Sequence, residues 1–193
     1  MNISEIEPFY VEVLKRVLVD TVTMEGKYTL YDESLRAKFF DGTLSKSEAE
    51  KILSVGVYDS YVKDGYVNPV RAETMIGMPR LSNFQYCIEQ AIKNKIQGDI
   101  IETGVWRGGA CIMAAGVIKS LKSNKKIYVS DSFEGLPKPE SKYSADDNDP
   151  HHTLEHLKVS LEQVQDNFKK YNLLSKSVCF IKGFFKDSLK KVP

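Results

Sequence analysis

The sequence has no long apolar run, no excess of charge of either sign and few cysteines. No apolar stretch approaches the roughly 18 residues that a membrane span needs. The formal net charge is +1, which gives no electrostatic reason to expect nucleic acid or a membrane surface as a partner. The three cysteines, Cys87, Cys111 and Cys179, are widely spaced without a C-x-x-C pair, so we expect reduced, mostly buried thiols. The N-terminal residues show neither a basic region nor a long apolar segment, so we expect no signal peptide and a cytoplasmic protein.

Several familiar site patterns are also missing. The sequence contains no internal repeat, no low-complexity tract, no G-x-S-x-G nucleophile elbow and no Cys/His arrangement for covalent catalysis. The dinucleotide pattern G-x-G-x-x-G is absent, which disfavours a nicotinamide-dependent oxidoreductase. What remains is a chain of 193 residues, 42% hydrophobic and 27% charged. This is enough for one globular domain with a sizeable core.

The N-terminal region, residues 1–80, is predicted to be helical. Apolar residues recur at helical spacing, and S-K-S-E at residues 45–48 is a capping box that begins a helix. The charged and aromatic segment from Tyr28 to Gly42 is predicted to be a loop. The helix before the first strand is expected to begin near Ser82 or Asn83 and to stop at Gly98. The predicted helices cover residues 6–20, 45–56 and 81–97.

Strands alternate with helices in the second part of the chain, residues 81–193. Strands are predicted at 100–103, 127–131 and 178–182, and helices at 109–121 and 153–171. This alternation implies βαβ units and a parallel sheet, and right-handed crossovers give the strand order 3-2-1. The predicted fold is therefore α/β and Rossmann-like. Because only half of a doubly wound sheet is present, we expect either a fragment of a longer protein or a partner chain that covers the exposed first strand.

The most informative segment is a glycine turn at residues 98–109, G-D-I-I-E-T-G-V-W-R-G-G. An apolar strand runs through the acidic Glu102 into Gly104, Gly108 and Gly109, and a helix follows. Nucleotide-binding α/β proteins combine a strand, a tight glycine turn and a helix N-terminus in this way, and glycine lets the backbone approach a ligand closely. The spacing differs from the dinucleotide and P-loop patterns. It suits a ligand with an amine and a ribose, such as S-adenosylmethionine, better than a pyrophosphate.

Two carboxylates stand where such a ligand would be held. Asp131 ends the second strand, where an acid of a doubly wound fold reaches ribose hydroxyls because it accepts two hydrogen bonds. Alternatively, Asp131 begins an ordinary turn. Glu102 ends the first strand, where it either pairs with a ligand ammonium or caps the N-terminus of the next helix.

Three further segments have more than one interpretation. Phe184 and Phe185, in G-F-F-K-D after the third strand, either contact adenine or belong to the core. The loop 134–152 is long for a βα connection and is a lid, a substrate contact or a solvated helix start. Its two adjacent histidines argue only weakly for a metal, because neighbouring helical residues point in different directions. Arg107, next to Trp106, either holds a carboxylate or forms a surface ion pair.

Two motifs of this sequence closely resemble the TylF/MycF family of S-adenosylmethionine-dependent O-methyltransferases. They are E-T-G-V-W-R-G-G at residues 102–109 and D-S-F-E-G-L-P at residues 131–137. As a pair they are far more specific than a glycine motif alone. Collinear matches over most of the chain are L-K-R at 14–16, T-M-I-G at 74–77 with Arg80-Leu81, V-S-L at 159–161 with Asn167-Phe168, and G-F-F-K-D at 183–187.

The resemblance implies an enzyme that methylates a hydroxyl of a sugar or sugar-bearing natural product, since macrolides and aminocoumarins are among the family's substrates. By matching position, Glu102 and Gly104 would lie beside the methionine part of the cofactor, Asp131 beside the ribose, and Ser132 and Phe133 beside the adenine. Residues 1–80 are expected to act as a lid and to help shape the acceptor pocket. The expected cofactor-binding residues are Glu102, Thr103, Gly104, Gly108, Asp131, Ser132, Phe133, Gly183 and Phe185.

The resemblance also implies Mg²⁺, and here the chain departs from the family. In the family, an L-D-x-D-x-Y-like run and a later acidic pair bind the metal and supply the general base, and this chain stops at Pro193 before both. We therefore expect the catalytic base beyond Pro193 and no metal site in this chain. The expected partners are a small-molecule acceptor and further copies of the chain in a homo-oligomer. The alternative is a truncated, inactive cofactor-binding or assembly module whose first strand pairs across a dimer.

Overall fold

The computed structural model describes residues 7–20, 33–54, 71–140 and 142–192. Within these ranges the predicted N-terminal helices are confirmed in kind, and their parts at residues 6, 55 and 56 lie outside the described residues. The capping box is confirmed: the Ser45 hydroxyl accepts the N–H of Glu48, whose carboxylate accepts the N–H of Ser45 at 2.9 Å. The helices before the sheet are α1 (Tyr10–Leu18), introduced by a 3-10 turn (Glu7–Phe9), α2 (Glu33–Asp41), α3 (Lys46–Ser54) and α4 (Gly77–Lys93).

Helix α2 replaces part of the loop predicted from Tyr28 to Gly42, so that prediction is wrong over residues 33–41. Leu35 and Phe39, one helical turn apart, are both buried. The Phe39 ring lies 6.2 Å from the rings of Tyr10 and Tyr171. The packing of Leu35 and Phe39 stabilises α2, and the many charged residues of this segment are the reason why its sequence did not indicate a helix. Residues 28–32 lie outside the described residues.

Helix α4 starts at Gly77, four residues before the predicted range of 81–97. It also ends before the predicted residue 97. Lys95 adopts a left-handed φ of 52°, and its N–H bonds back to the last turn of the helix at 3.0 Å. This closing turn ends the helix, so Gly98 is not its stop signal.

Among the described residues, the sheet consists of three parallel strands in the order β1-β2-β3. The order, with β2 in the centre, and all three strand ranges are as predicted from the sequence. Thr103 pairs with Ser130, and Asp131 pairs with Lys182, so the carboxyl ends of the strands form one edge. The elements are β1 (Ile100–Thr103), α5 (Gly109–Ser120), β2 (Ile127–Asp131), α6 (Leu161–Lys170), β3 (Val178–Lys182) and α7 (Phe185–Ser188).

The helix predicted over residues 153–171 is wrong in its first part, because α6 begins only at Leu161. Ser160 is its N-cap, and the Ser160 hydroxyl accepts the N–H of Gln163 at 3.2 Å. Leu154 and Lys158 have extended backbone with ψ of 105° and 96°, which interrupts any earlier helix. The connection between β2 and α6 instead contains 3-10 turns at Ser144–Asp146, His151–Thr153 and Glu155–Leu157. A further 3-10 turn, Leu189–Lys191, follows α7.

Helix α5 lies at the centre of the core. Every residue from Gly109 to Ile118 is buried, and α1 and α4 pack against it. At Gly116 an added Cβ would lie 2.5 Å from Leu14 Cδ2 of α1, so the two helices meet without room for a side chain. This packing fixes the start of α5 and therefore the glycine turn that precedes it.

The buried residues of the N-terminal helices and of the sheet region belong to one cluster. The boundary predicted between residues 80 and 81 falls inside α4, and the division into two domains stays a prediction. In the described parts of the chain, no helix has the length and apolar character needed to cross a membrane.

Candidate functional site

A cleft of about 550 Å³ opens at the carboxyl ends of the strands. It is lined by Gly104 of the glycine turn, by Asp131 and Ser132 at the end of β2, and by Phe185 after β3. All four were predicted from motifs that are far apart in the sequence. Open α/β sheets bind their ligands at this edge. The remaining lining residues are Met75, Trp106, Gly135, Leu136, Pro137, Glu140, Leu157, Phe184, Lys186 and Asp187.

The carboxylate of Asp131 joins the turn after β1 to the turn after β2. Its Oδ2 accepts the N–H of Val105 at 2.7 Å, and its Oδ1 accepts the N–H of Phe133 at 2.9 Å. These contacts use two of the roughly four lone-pair positions of a carboxylate, while the Ser132 hydroxyl donates to the Gly135 carbonyl at 2.7 Å. Asp131 therefore organises a turn and also lines the cleft, and its contact with a ribose stays a prediction.

Glu102 lies against the first turn of α5 and is not among the residues that line the cleft. Cys111 donates its thiol hydrogen to Glu102 Oε2 at 2.7 Å. Burial raises the pKa of Glu102 to about 7, the Cys111 hydrogen bond opposes this rise, and the charge of Asp131 adds to it. Burial and the charge of Glu102 raise the pKa of the Cys111 thiol well above its usual range. Two acidic side chains and a protonated thiol thus lie close together beside the cleft.

Helix capping by Glu102, the alternative interpretation, is not what the structure shows. The N-cap of α5 is Gly108, which has a left-handed φ of 84° and makes no side-chain cap hydrogen bond. Glu102 instead contacts the helix through the side chain of Cys111. Its pairing with a ligand ammonium stays a prediction.

Two glycines of the motif meet different surroundings. Gly104 has φ +83°, and an added Cβ would have no atom within 4 Å. Because Gly104 lines the cleft, a ligand can approach its backbone closely. Gly108 has φ +84°, and an added Cβ would lie 2.8 Å from Val164 Cγ1 of α6. Gly108 therefore allows close helix packing, and it is not among the residues that line the cleft.

Trp106 is held in the glycine turn by contacts of its side chain. Its φ of +49° is rare for a bulky residue, and its indole N–H donates to the His156 carbonyl at 2.8 Å. The guanidinium carbon of Arg107 lies 4.3 Å from the Trp106 ring centroid, and Arg107 Nη1 donates to the Ala72 carbonyl at 2.8 Å. Neither sequence interpretation of Arg107 anticipated these contacts with a ring and a backbone carbonyl.

Three other predicted site residues do not line the cleft. Phe133 is buried, with its ring 6.5 Å from that of Phe180. Gly183 donates its N–H to the Asp131 carbonyl at 2.9 Å, and Thr103 pairs with the neighbouring strand. Their contacts with a cofactor stay predictions.

Phe184 and Phe185 are both exposed and both line the cleft. The interpretation that they belong to the core is therefore wrong. Their contact with adenine stays a prediction, with no preference between the two rings.

The segment 71–76 contributes to the site, and it belongs to the region 1–80 that was expected to help shape the acceptor pocket, although none of its residues was predicted individually. Met75 lines the cleft, and the Glu73 carbonyl accepts the N–H of Gly109 at 2.9 Å. The Glu73 carboxylate accepts hydrogen bonds from Lys170 at 2.8 Å and from the Tyr171 hydroxyl at 2.7 Å. The T-M-I-G match at residues 74–77 was the one available signal, and it assigned no role.

The loop 134–152 brings Leu136, Pro137 and Glu140 to the cleft, while its histidine His151 contacts Asp149 at an exposed position. Among the described residues, no group of three or more His, Cys, Asp or Glu side chains is arranged to hold a metal ion. Mg²⁺ prefers several oxygen ligands in octahedral geometry, so these residues do not fit a magnesium site.

The strand order, the glycine turn and the cleft define a Rossmann-like methyltransferase fold. The solved structure titled "Structure of the O-methyltransferase NovP" superposes with a TM-score of 0.73 and 33% identity, and the match covers 97% of this chain and 68% of that chain. The model of the family described as Macrocin-O-methyltransferase (TylF) matches residues 7–193. The chain belongs to this family.

Curated relatives carry matching sequences. Mycinamicin III 3''-O-methyltransferase from Micromonospora griseorubida is 42% identical over 135 residues, which cover 65% of this chain and 51% of the relative. Demethyldecarbamoylnovobiocin O-methyltransferase from Streptomyces niveus is 43% identical over 128 residues, covering 65% of this chain and 49% of the relative. The chain thus spans about half the length of the curated relatives that it matches.

Proposed function

We propose that this chain binds S-adenosylmethionine in the cleft, as part of an O-methyltransferase that acts on a hydroxyl of a sugar or sugar-bearing natural product. The meeting of Gly104, Asp131 and Phe185 in one cleft carries the proposal. Each residue comes from a different motif and suits a different part of the cofactor. Family membership and relatives that are named O-methyltransferases support the same chemistry.

The cofactor would lie across the ends of the three strands. The ribose hydroxyls would share the carboxylate of Asp131, while adenine would lie against the exposed rings of Phe184 and Phe185. The methionine part would pass over the bare backbone of Gly104. Its ammonium group would then favour the charged form of Glu102, whose pKa of about 7 would fall in the presence of a neighbouring cation.

Met75, Trp106 and Leu157 also line the cleft, and we propose that they contact the acceptor. Met75 comes from the first 80 residues, which supports the proposal that this region helps shape the acceptor pocket. The relatives are named for acting on mycinamicin III and on demethyldecarbamoylnovobiocin, so a glycosylated natural product is the acceptor class that we propose.

Methyl transfer from a sulfonium to an oxygen requires the two reacting atoms in line, which a rigid turn and cleft can supply. Magnesium would polarise the acceptor hydroxyl, but the described residues offer no donor set for it, so no step of this proposal involves a metal. The second candidate is a module that binds the cofactor without transferring the methyl group. A cytoplasmic location and a homo-oligomer remain predictions.

The first test is calorimetric titration of this chain with S-adenosylhomocysteine, with and without Mg²⁺, and with NAD as a control ligand. We expect saturable binding of S-adenosylhomocysteine, no binding of NAD, and no effect of magnesium on the affinity. A folded sample that binds neither ligand would contradict the proposal for this chain.

A second test separates the enzyme from the inactive module. The chain is incubated with S-adenosylmethionine and either mycinamicin III or demethyldecarbamoylnovobiocin, and methylated product is measured by mass spectrometry. Product formation supports the enzyme. Cofactor binding without product, at several magnesium concentrations, supports the module.

A further inference from the structure

The first turn of α5 carries a thiol, that of Cys111, beside the cofactor cleft. The thiol is fully buried and donates to Glu102 Oε2 at 2.7 Å. We propose that Cys111 is a positioning residue, whose thiol holds one carboxylate oxygen of Glu102 so that the other oxygen receives the ammonium group of the cofactor. The proposal rests on the function proposed for the cleft and adds a residue for which the sequence indicated only a buried thiol.

The backbone fixes these two side chains against each other. Exposure alternates along β1, so Glu102 lies on the same, less exposed face as Ile100 and opposite to Ile101. Helix α5 packs against this face, and every residue from Gly109 to Ile118 is buried. Cys111 therefore cannot turn away from Glu102 without a shift of the most closely packed helix of the core.

Glu102 keeps one oxygen free for a ligand. Within the described residues, the Cys111 thiol is the only hydrogen-bond partner of its carboxylate, and no cation pairs with it. The charged group that acts on Glu102 is Asp131, which is also an acid. Because a carboxylate has about four lone-pair positions on two oxygens, Oε1 is available. A ligand ammonium would supply the positive charge that these residues do not provide.

A thiol suits this position because it is a neutral donor. A lysine or arginine would compete with the ligand ammonium for the carboxylate, whereas a thiol orients one oxygen and leaves the negative charge unpaired. Burial and the charge of Glu102 raise the pKa of the Cys111 thiol well above its usual range, so the thiol stays protonated and remains a donor. The hydrogen bond also opposes the effect of burial on the pKa of Glu102, which favours the charged form that binds a cation.

Calorimetric titrations at pH 6 and pH 8 separate this role from simple packing. S-adenosylhomocysteine carries the ammonium group, whereas 5′-methylthioadenosine keeps the adenine and ribose but lacks the amino-acid part. Because the pKa of Glu102 is about 7, the unmodified chain should bind S-adenosylhomocysteine about tenfold more weakly at pH 6 than at pH 8. 5′-Methylthioadenosine should show no such difference. A change of charge on Asp131 would affect both ligands, since both carry the ribose.

Cys111→Ala and Cys111→Ser form a matched pair. Alanine removes the donor and should move the pH midpoint of S-adenosylhomocysteine binding upward by about one pH unit, so the affinity should fall about tenfold at pH 6 but only about twofold at pH 8. Serine keeps a donor of similar size and should retain the affinity of the unmodified chain at both pH values. Cys87→Ala, which removes an exposed thiol of α4, is the control and should change neither affinity.

The proposal is overturned if Cys111→Ala loses the same affinity at pH 6 as at pH 8, or the same affinity for both ligands, because the thiol would then only fill space. If Cys111→Ala does not fold, Cys111→Ser decides alone: a fall in its affinity for S-adenosylhomocysteine at pH 6 would contradict the proposal, and a retained affinity supports it. An unmodified chain that binds neither ligand refutes the function proposed for the cleft and this proposal together. Binding of both ligands without any effect of pH refutes the role of Cys111 alone.

Discussion

Gly104 and Gly98 form a matched pair that tests whether a ligand approaches the backbone of the glycine turn. Their φ angles are +83° and +89°, and an added Cβ has no atom within 4 Å at either position. The two differ in location, because Gly104 lines the cleft while Gly98 lies in the exposed turn after α4. Replacing either glycine by alanine therefore introduces a similar backbone strain. Only Gly104→Ala also places a methyl group in the cleft.

The expected magnitudes follow from this geometry. A left-handed backbone costs an L-residue about 1–2 kcal/mol, which corresponds to a fall of about 2–8 °C in Tm for a chain of this size. Both variants should show this fall. Only Gly104→Ala places a methyl group where the ligand approaches, and we expect its affinity for S-adenosylhomocysteine to drop at least tenfold, or about 1.4 kcal/mol.

The assay combines thermal unfolding of both variants with calorimetric titration of S-adenosylhomocysteine. If the cofactor passes close to the backbone of Gly104, the two variants have similar Tm values but different affinities for S-adenosylhomocysteine. If Gly104→Ala binds S-adenosylhomocysteine as tightly as Gly98→Ala does, the cofactor does not pass over this part of the turn, and the reasoning is refuted.

Three further changes test the surroundings of the site. The pKa of Glu102 is about 7 in the folded chain against an ordinary value of 4.5, so Glu102 takes up a proton on folding between these pH values. Its contribution to the free energy of unfolding is full below about pH 4 and is lost as the pH rises to about 7. The loss is at most about 3 kcal/mol. Glu102→Gln should remove this decline in denaturant unfolding between pH 5 and pH 8, and an unchanged pH profile would contradict the assignment. Tyr171→Phe removes the 2.7 Å hydrogen bond to the buried Glu73 carboxylate and should lower the free energy of unfolding by about 1–3 kcal/mol. The control Tyr86→Phe, at a 59% exposed position, should change the free energy of unfolding little. Equal effects of the two variants would refute a structural role for this hydrogen bond. Gly109→Ala would place Cβ 2.5 Å from the backbone carbonyl oxygen of Glu73, while the Cβ of Gly116→Ala would lie at the same distance from the flexible end of the Leu14 side chain. Gly109→Ala should therefore lower the free energy of unfolding more than Gly116→Ala. The reverse order in a denaturant titration would show that the backbone of residues 71–76 shifts at little energetic cost.

The secondary structure around the cleft could be read from local patterns. Short apolar runs such as Ile127–Asp131, separated by helix-length segments, predict parallel strands and their order, because the period of side-chain burial is a local property. The same holds for the capping box at Ser45. Helix α2 could not be read in this way, since its stability comes from Phe39 packing against rings of distant segments.

The amino-acid sequence is enough to predict that Gly104 and Asp131 meet at one edge of the sheet, because both stand at the carboxyl ends of parallel strands, and parallel strands align those ends. Which of the predicted residues line the cleft depends on how the folded chain packs: Gly104 and Asp131 line it, whereas Gly108 lies against α6 and Phe133 is buried. The same packing also brings Glu73 beside Tyr171, 98 residues away, and the Ala72 carbonyl beside Arg107. Contacts across such separations depend on how helices pack against the sheet, and neither residue periodicity nor motif spacing encodes that packing locally.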